Sequence, residues 1–122
     1  MSDFDAVVDR YLAVWNEPDP EARRQAVRDA FADDVRYVDP MAAVEGHDEL
    51  NGLIGAMRQQ FPGHTLTVGG PVDGHHEQVR FTWNLAAGDN EPLVVGFDVA
   101  ELDADGRIRR VLGFIDKAPT AG

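Results

Sequence analysis

Val35-Arg36-Tyr37-Val38-Asp39-Pro40 is the stretch on which the reading of this chain turns. Side chains alternate along a strand, so Val35, Tyr37 and Asp39 share one face and Arg36 and Val38 the other. Pro40 cannot donate to a central ladder, and it ends the strand where the Asp39 carboxylate stands. An aspartate in that place is either a turn former, since Asp-Pro is a common turn pair, or a proton carrier. From the spacing alone both readings stay open.

Upstream the pattern is helical. Ser2 or Asp3 can cap a first helix whose apolar stripe is Phe4, Val7, Val8, Tyr11, Leu12 and Trp15. Asn16 to Pro20 breaks it, and Asp19-Pro20 reads as the cap and first turn of a second helix. That helix is expected to run to Phe31, with Ala22, Ala26, Val27, Ala30 and Phe31 inward and its arginines outward. Downstream, Met41 to Gly46 has room for a short strand. A third helix then starts at Gly46 or His47, with Asp48 and Glu49 placed where the helix dipole favours acids. Leu50, Leu53, Ile54, Met57 and Phe61 form its stripe, and Pro62-Gly63 stops it.

From His64 onward the period is two. Leu66 and Val68 alternate until Gly69-Gly70-Pro71 bends the chain. Gln78–Ala86 sets Val79, Phe81, Trp83 and Leu85 against Arg80, Thr82 and Asn84. The turn signals Gly88-Asp89-Asn90 and Asp103-Ala104-Asp105-Gly106 separate strands over Leu93–Leu102 and Ile108–Asp116. Three helices followed by a meander predict an α+β domain. Long strands with internal glycines curve, so the sheet is expected to be mostly antiparallel and wrapped over the three N-terminal helices as a cone with an internal pocket. Residues 1–117 read as one domain and 118–122 as a flexible tail.

Charge narrows the classes of partner. Of the 122 residues, 22 are Asp or Glu and 11 are Lys or Arg, a net charge of −11. That balance opposes nucleic acid and anionic lipid, which need a positive patch. The absence of cysteine excludes disulfides and thiolate metal sites. No basic-then-apolar leader opens the chain, and no apolar run reaches the ~20 residues of a membrane span. A soluble cytoplasmic protein is the expectation.

Asp98 is the residue least at home in its surroundings. It interrupts the apolar run Val94-Val95-Gly96-Phe97-Asp98-Val99-Ala100 and shares a face with Val94, Gly96 and Ala100. A buried carboxylate must find a cation, find donors or keep its proton. Small neighbours leave space beside it, as in a pocket wall; the bland reading is a cross-sheet salt bridge to Arg80, Arg109 or Arg110. Tyr11 in a helix stripe is explained equally well as core. His75 and His76, being adjacent, point to opposite faces and make a poor metal pair. His64 reads as exposed and His47 as a helix-start residue. Ser2 is the only serine, which leaves no candidate for a serine-hydrolase triad.

Four segments carry a resemblance: Ala6-Val7-Val8-Asp9-Arg10-Tyr11, Phe31-Ala32-Asp33-Asp34, Val38-Asp39-Pro40 and Val94-Val95-Gly96-Phe97-Asp98. Together they resemble the ketosteroid isomerases of the nuclear transport factor 2-like superfamily, cone-shaped α+β proteins that also include the SnoaL-like polyketide cyclases. The resemblance spans Phe4 to about Asp116. It implies that Asp39 is a general base and that Tyr11 and a protonated Asp98 form an oxyanion hole, the arrangement for which ketosteroid isomerase is the known example. The implied activity is that of a cofactor-independent isomerase or cyclase, with no metal, acting on a small apolar carbonyl compound of steroid or polyketide type. Trp15, Met57, Phe61, Phe81, Trp83 and Val111 are the candidate substrate-binding wall. Val99-Ala100 after the strand aspartate and Met41-Ala42-Ala43 after Asp39-Pro40 depart from the isomerase pattern. Val79–Trp83 and Asp105–Ile108 look more like uncharacterised SnoaL-like proteins.

Two further expectations follow. Val95, Phe97 and Val99 face away from the pocket side and would need a cover, which predicts a homodimer on the outer sheet face, with Arg80, Thr82 and Asn84 as its polar part. The rival to an enzyme is a non-catalytic small-molecule or protein-binding module of the same fold. Asp98 discriminates: an exposed salt bridge favours the binding module, an apolar setting within reach of Tyr11 favours the enzyme.

Overall fold

Helix starts follow the local signals. The structure is a computed structural model that describes residues 3–119, so the cap proposed at Ser2 and the end of the expected tail lie outside the described residues. Helices α1 (Asp3–Asn16), α2 (Pro20–Ala30) and α3 (Gly46–Gln60) come first, with two short strands between the second and third. Asp19 caps α2 by accepting from the Ala22 N–H at 2.8 Å, and Pro20 sits in the first turn, where a missing N–H costs nothing. Gly46 opens α3 at φ +83°, a conformation that side chains resist.

Arg23 corrects one expectation. It lies on the buried side of α2 at 7% exposure, while Ala22 is exposed. Its Nε donates to Asn51 Oδ1 at 2.8 Å and its Nη1 to the Glu17 carbonyl at 3.2 Å. Gly55 makes the room, since a Cβ there would stand 2.9 Å from Arg23 Nη2. The last turn of α1 has no basic residue of its own. Arg58 donates to the Trp15 carbonyl at 3.1 Å, so cations from the other helices serve the carbonyls around the end of α1.

The strands are β1 (Phe31–Val38), β2 (Ala43–Glu45), β3 (Thr65–Val68), β4 (Asp73–His75), β5 (Gln78–Ala86), β6 (Val94–Leu102) and β7 (Ile108–Lys117). They form one sheet in the order β2-β1-β7-β6-β5-β3, with β4 also pairing β5. Every pairing is antiparallel except β1 with β7, which is parallel and makes the sheet mixed.

Phe31 is not the last helical residue. It is extended at φ −120°, ψ 144°, closes α2 through its N–H to the Val27 carbonyl, and begins β1. A buried Phe satisfies a helix stripe and a strand face alike, so period could not separate the two. Asp33 and Asp34, expected as a lead-in, are exposed strand residues where the β1–β7 register slips between Phe31 and Arg36. Strand β4 is an addition: its hairpin with β5 turns at His76, which takes φ +54°.

The two faces of β5 and β6 separate as alternation requires. Val79, Phe81, Trp83 and Leu85 are buried with Val94, Gly96, Asp98 and Ala100 against the helices. Trp83 lies directly across from Gly96, and a Cβ at Gly96 would fall 2.1 Å from the indole ring. The outer face carries Val95, Phe97 and Val99 in half-buried positions, with Leu112 38% and Phe114 57% exposed.

Candidate active site

Asp98 sits mid-strand in β6 between Phe81 of β5 and Gly113 of β7, on the helix-facing side. It is 1% exposed and forms no salt bridge among the described residues: Arg80 pairs with Asp73 and Arg109 with Glu101. Tyr11, one of the deepest side chains of α1, donates its hydroxyl to Asp98 Oδ2 at 2.7 Å across 87 residues of sequence. Asp98 Oδ1 has no hydrogen-bond partner among the described residues.

Burial pushes the Asp98 carboxyl up from 3.8 to about 6. The Tyr11 hydrogen bond and the nearby Trp83 indole pull it down, and the Asp39 charge pushes it up. The shift is in the expected direction, but half-protonation falls below neutrality. Developing charge on a ligand oxygen at Oδ1 would have to draw the proton on at higher pH. Tyr11 is raised well above 10.0, first by burial and then by the Asp98 charge, so its hydroxyl keeps its proton and remains a donor.

Asp39 lies just past the end of β1, and its two oxygens do different work. Oδ1 accepts from the backbone N–H groups of Met41 at 2.8 Å and Ala42 at 2.9 Å, which closes the turn into β2 together with Asp39 N–H to the Ala42 carbonyl. Oδ2 accepts the hydroxyl of Tyr37 at 2.7 Å, a tyrosine that also feels the Asp98 charge. Turn former and candidate site residue are therefore one residue. Tyr37 was not among the sequence candidates, although the period of β1 had already set it on the Asp39 face.

Two Tyr→Asp pairs thus stand side by side: Tyr11 with Asp98, and Tyr37 with Asp39. Burial, and then the charges of Asp98 and Asp39, raise Tyr37 well above 10.0. Of the expected binding wall, Phe81 packs edge-on to Tyr11 at 5.3 Å, and Trp15 contacts Tyr11 at 6.2 Å and Tyr37 at 5.5 Å. Trp15 Nε1 is the other buried polar side-chain atom without a partner among the described residues. Trp83 lies over Gly96, two residues along β6 from Asp98, and Val111 is fully buried opposite Tyr37. Met57 and Phe61 are half-buried at the end of α3 and pack on the same core, with no ring contact to either pair.

The surroundings of the pairs are filled with aromatic side chains. A surface groove of about 530 Å³, lined by Asp33, Asp34, Arg36, Glu45 and Glu49 among others, lies apart from them.

The chain belongs to the SnoaL-like domain family, whose model matches residues 8–111. No curated protein matches it. Among solved structures, one from Agrobacterium tumefaciens str. C58, described provisionally as an isomerase of the SnoaL-like family, is 41% identical over 95% of this chain and 99% of its own, with a TM-score of 0.90. A protein of Jannaschia sp. CCS1, described provisionally as a SnoaL-like polyketide cyclase, shares the fold at 19% identity over 95% and 90% of the two chains, TM-score 0.71. A de novo designed protein with a curved β-sheet reaches the same TM-score of 0.71 at 17% identity, over 95% and 88%. The fold therefore does not carry a function by itself. No helix among the described residues is long and apolar enough to cross a membrane.

Proposed function

We propose that this protein is a cofactor-independent isomerase or cyclase that moves a proton beside a carbonyl of a small apolar, steroid- or polyketide-like substrate. The observation that carries the reading is the 2.7 Å Tyr11–Asp98 hydrogen bond in a buried, aromatic setting, with Asp98 Oδ1 unpartnered among the described residues. In such a setting a neutral acid donates strongly to developing negative charge.

Asp39 Oδ2 takes a proton from the carbon next to the carbonyl, and the electron pair moves onto the carbonyl oxygen. Asp98, protonated at Oδ1, donates to that oxygen while Tyr11 holds Oδ2. In an isomerase Asp39 returns the proton to a different carbon. In a cyclase the carbanion attacks a second carbonyl of the same molecule, forming the new C–C bond, and the resulting alkoxide takes back the proton that Asp39 removed. The 41% identical relative, provisionally an isomerase, agrees with this chemistry.

A second reading, a binding module, is favoured by one observation: Tyr11 and Asp98 are each only 1% exposed, so a ligand must part the aromatic side chains to touch them. Exchange of the acidic protons of a cyclic β,γ-enone in deuterated water separates the two. Exchange well above the Asp39→Asn background supports catalysis, and equal rates in the two proteins would leave only the binding module.

A homodimer belongs to the same proposal. Phe97 and Phe114 lie directly opposite each other on the outer face, beside Val99 and Leu112, and water-exposed apolar residues in such a cluster call for a cover.

A further inference from the structure

We propose that Tyr37 is the positioning residue of the base: its hydroxyl fixes Asp39 Oδ2 so that one lone pair of that oxygen is left to take a proton. This rests on the proton-transfer reading above.

Asp39 stands outside the ladder, at the first position of a turn, where its side chain would otherwise rotate. The structure removes that freedom at three points. Met41 and Ala42 N–H groups occupy both lone pairs of Oδ1, and the Tyr37 hydroxyl occupies one of the two on Oδ2. Tyr37 can hold this position because it is itself fixed. It is 3% exposed, lies in β1 between Val44 of β2 and Val111 of β7, and packs its ring on Trp15 at 5.5 Å. Its raised pKa keeps the hydroxyl a donor throughout the neutral range.

A purely structural bond would serve the β1–β2 hairpin, but that hairpin is already closed without it. Asp39 N–H bonds the Ala42 carbonyl at 2.9 Å, Val38 pairs with Ala43, and Oδ1 secures the turn. The Tyr37 bond uses the other oxygen, the one the turn leaves unused. It therefore sets an angle rather than holding a loop. Since Tyr37 already spends its hydroxyl on Asp39, it does not serve as a donor to the substrate, and its loss should act on the rate and leave ligand affinity alone.

The test uses the whole protein, Tyr37→Phe and Asp39→Asn. Phe keeps the ring packing on Trp15 and removes only the hydroxyl. With a cyclic β,γ-enone, Tyr37→Phe should exchange protons roughly 10- to 100-fold more slowly, the range for a misaligned reacting group. Its affinity for a bicyclic phenol such as 2-naphthol should stay within about twofold of wild type. A rate within about twofold of wild type overturns the proposal, and so does a parallel loss of rate and affinity. Proton NMR supplies a readout free of catalysis: a downfield, slowly exchanging Tyr37 hydroxyl proton that moves upfield in Asp39→Asn. If the wild type shows no exchange above Asp39→Asn, the catalytic reading fails and this proposal falls with it; exchange without the hydroxyl resonance overturns the positioning role alone.

Discussion

Asp98 and Gly113 face each other across β6 and β7, and the missing side chain of Gly113 leaves room that both Asp98 and Asp39 border. A Cβ at position 113 would stand 2.9 Å from Asp98 Oδ1, 3.1 Å from Asp39 Cβ and 3.3 Å from the Val38 carbonyl. The Asp98 carboxyl and the Asp39 Cβ, 59 positions apart in sequence, border the same space above a glycine.

Gly113 is not among the glycines at positive φ, so alanine there meets no backbone penalty and tests the space alone. Gly113→Ala should fold with a loss of about 1–3 kcal/mol, the cost of overpacking. It should slow proton exchange on a cyclic β,γ-enone by roughly tenfold or more, as a displaced base does. A wild-type rate in a folded Gly113→Ala protein would show that the close approach of the two aspartates is not used.

The Asp98 carboxyl makes stability depend on pH. Its folded value of about 6 lies above the ordinary 3.8, so between those values the folded state binds more protons than the unfolded one. The stabilisation from the proton is complete below about pH 4 and is lost as pH rises through 6. A shift of this size is worth ~3 kcal/mol at most. Asp98→Asn removes the buried charge and should unfold at higher denaturant than wild type at pH 8, by about 1–2 kcal/mol, with the advantage gone at pH 4. Urea titrations at both pH values check this, and an equal difference at the two would refute it.

Tyr11→Phe removes the hydroxyl that donates to Asp98 Oδ2 at 2.7 Å. Since that bond lowers the Asp98 pKa, its loss should move the Asp98 titration above about 6, as read by carboxyl-carbon NMR. Turnover should fall by roughly 10- to 100-fold, since Tyr11 orients the donating Asp98 and does not itself bond the substrate oxygen. An unchanged Asp98 titration would mean that the hydroxyl does not bond the carboxyl in solution.

Phe114, at 57% exposure, is the most exposed apolar side chain of the outer sheet face. Sedimentation velocity at micromolar concentration should find a dimer, and Phe114→Glu should convert it to a monomer by setting a charge in the covered patch. A monomeric wild type would reject this interface.

Local pattern alone established the three helices, the change of period near His64, the buried faces of β5 and β6, and the strangeness of Asp98 among apolar neighbours. Those features follow from backbone periodicity, which decides which side chains share a face, and from Asp19, Pro20 and the turn glycines, whose chemistry acts within a few residues. The tertiary structure alone decided that β1 lies parallel to β7, that Phe31 leaves the helix for the strand, and that Arg23 turns inward to Asn51. It also decided that Tyr11 reaches Asp98 and that Asp39 divides its oxygens between a turn and Tyr37. Each of these depends on which distant segment closes the sheet and what volume a glycine leaves there, and a repeat of 2 or 3.6 residues encodes no partner.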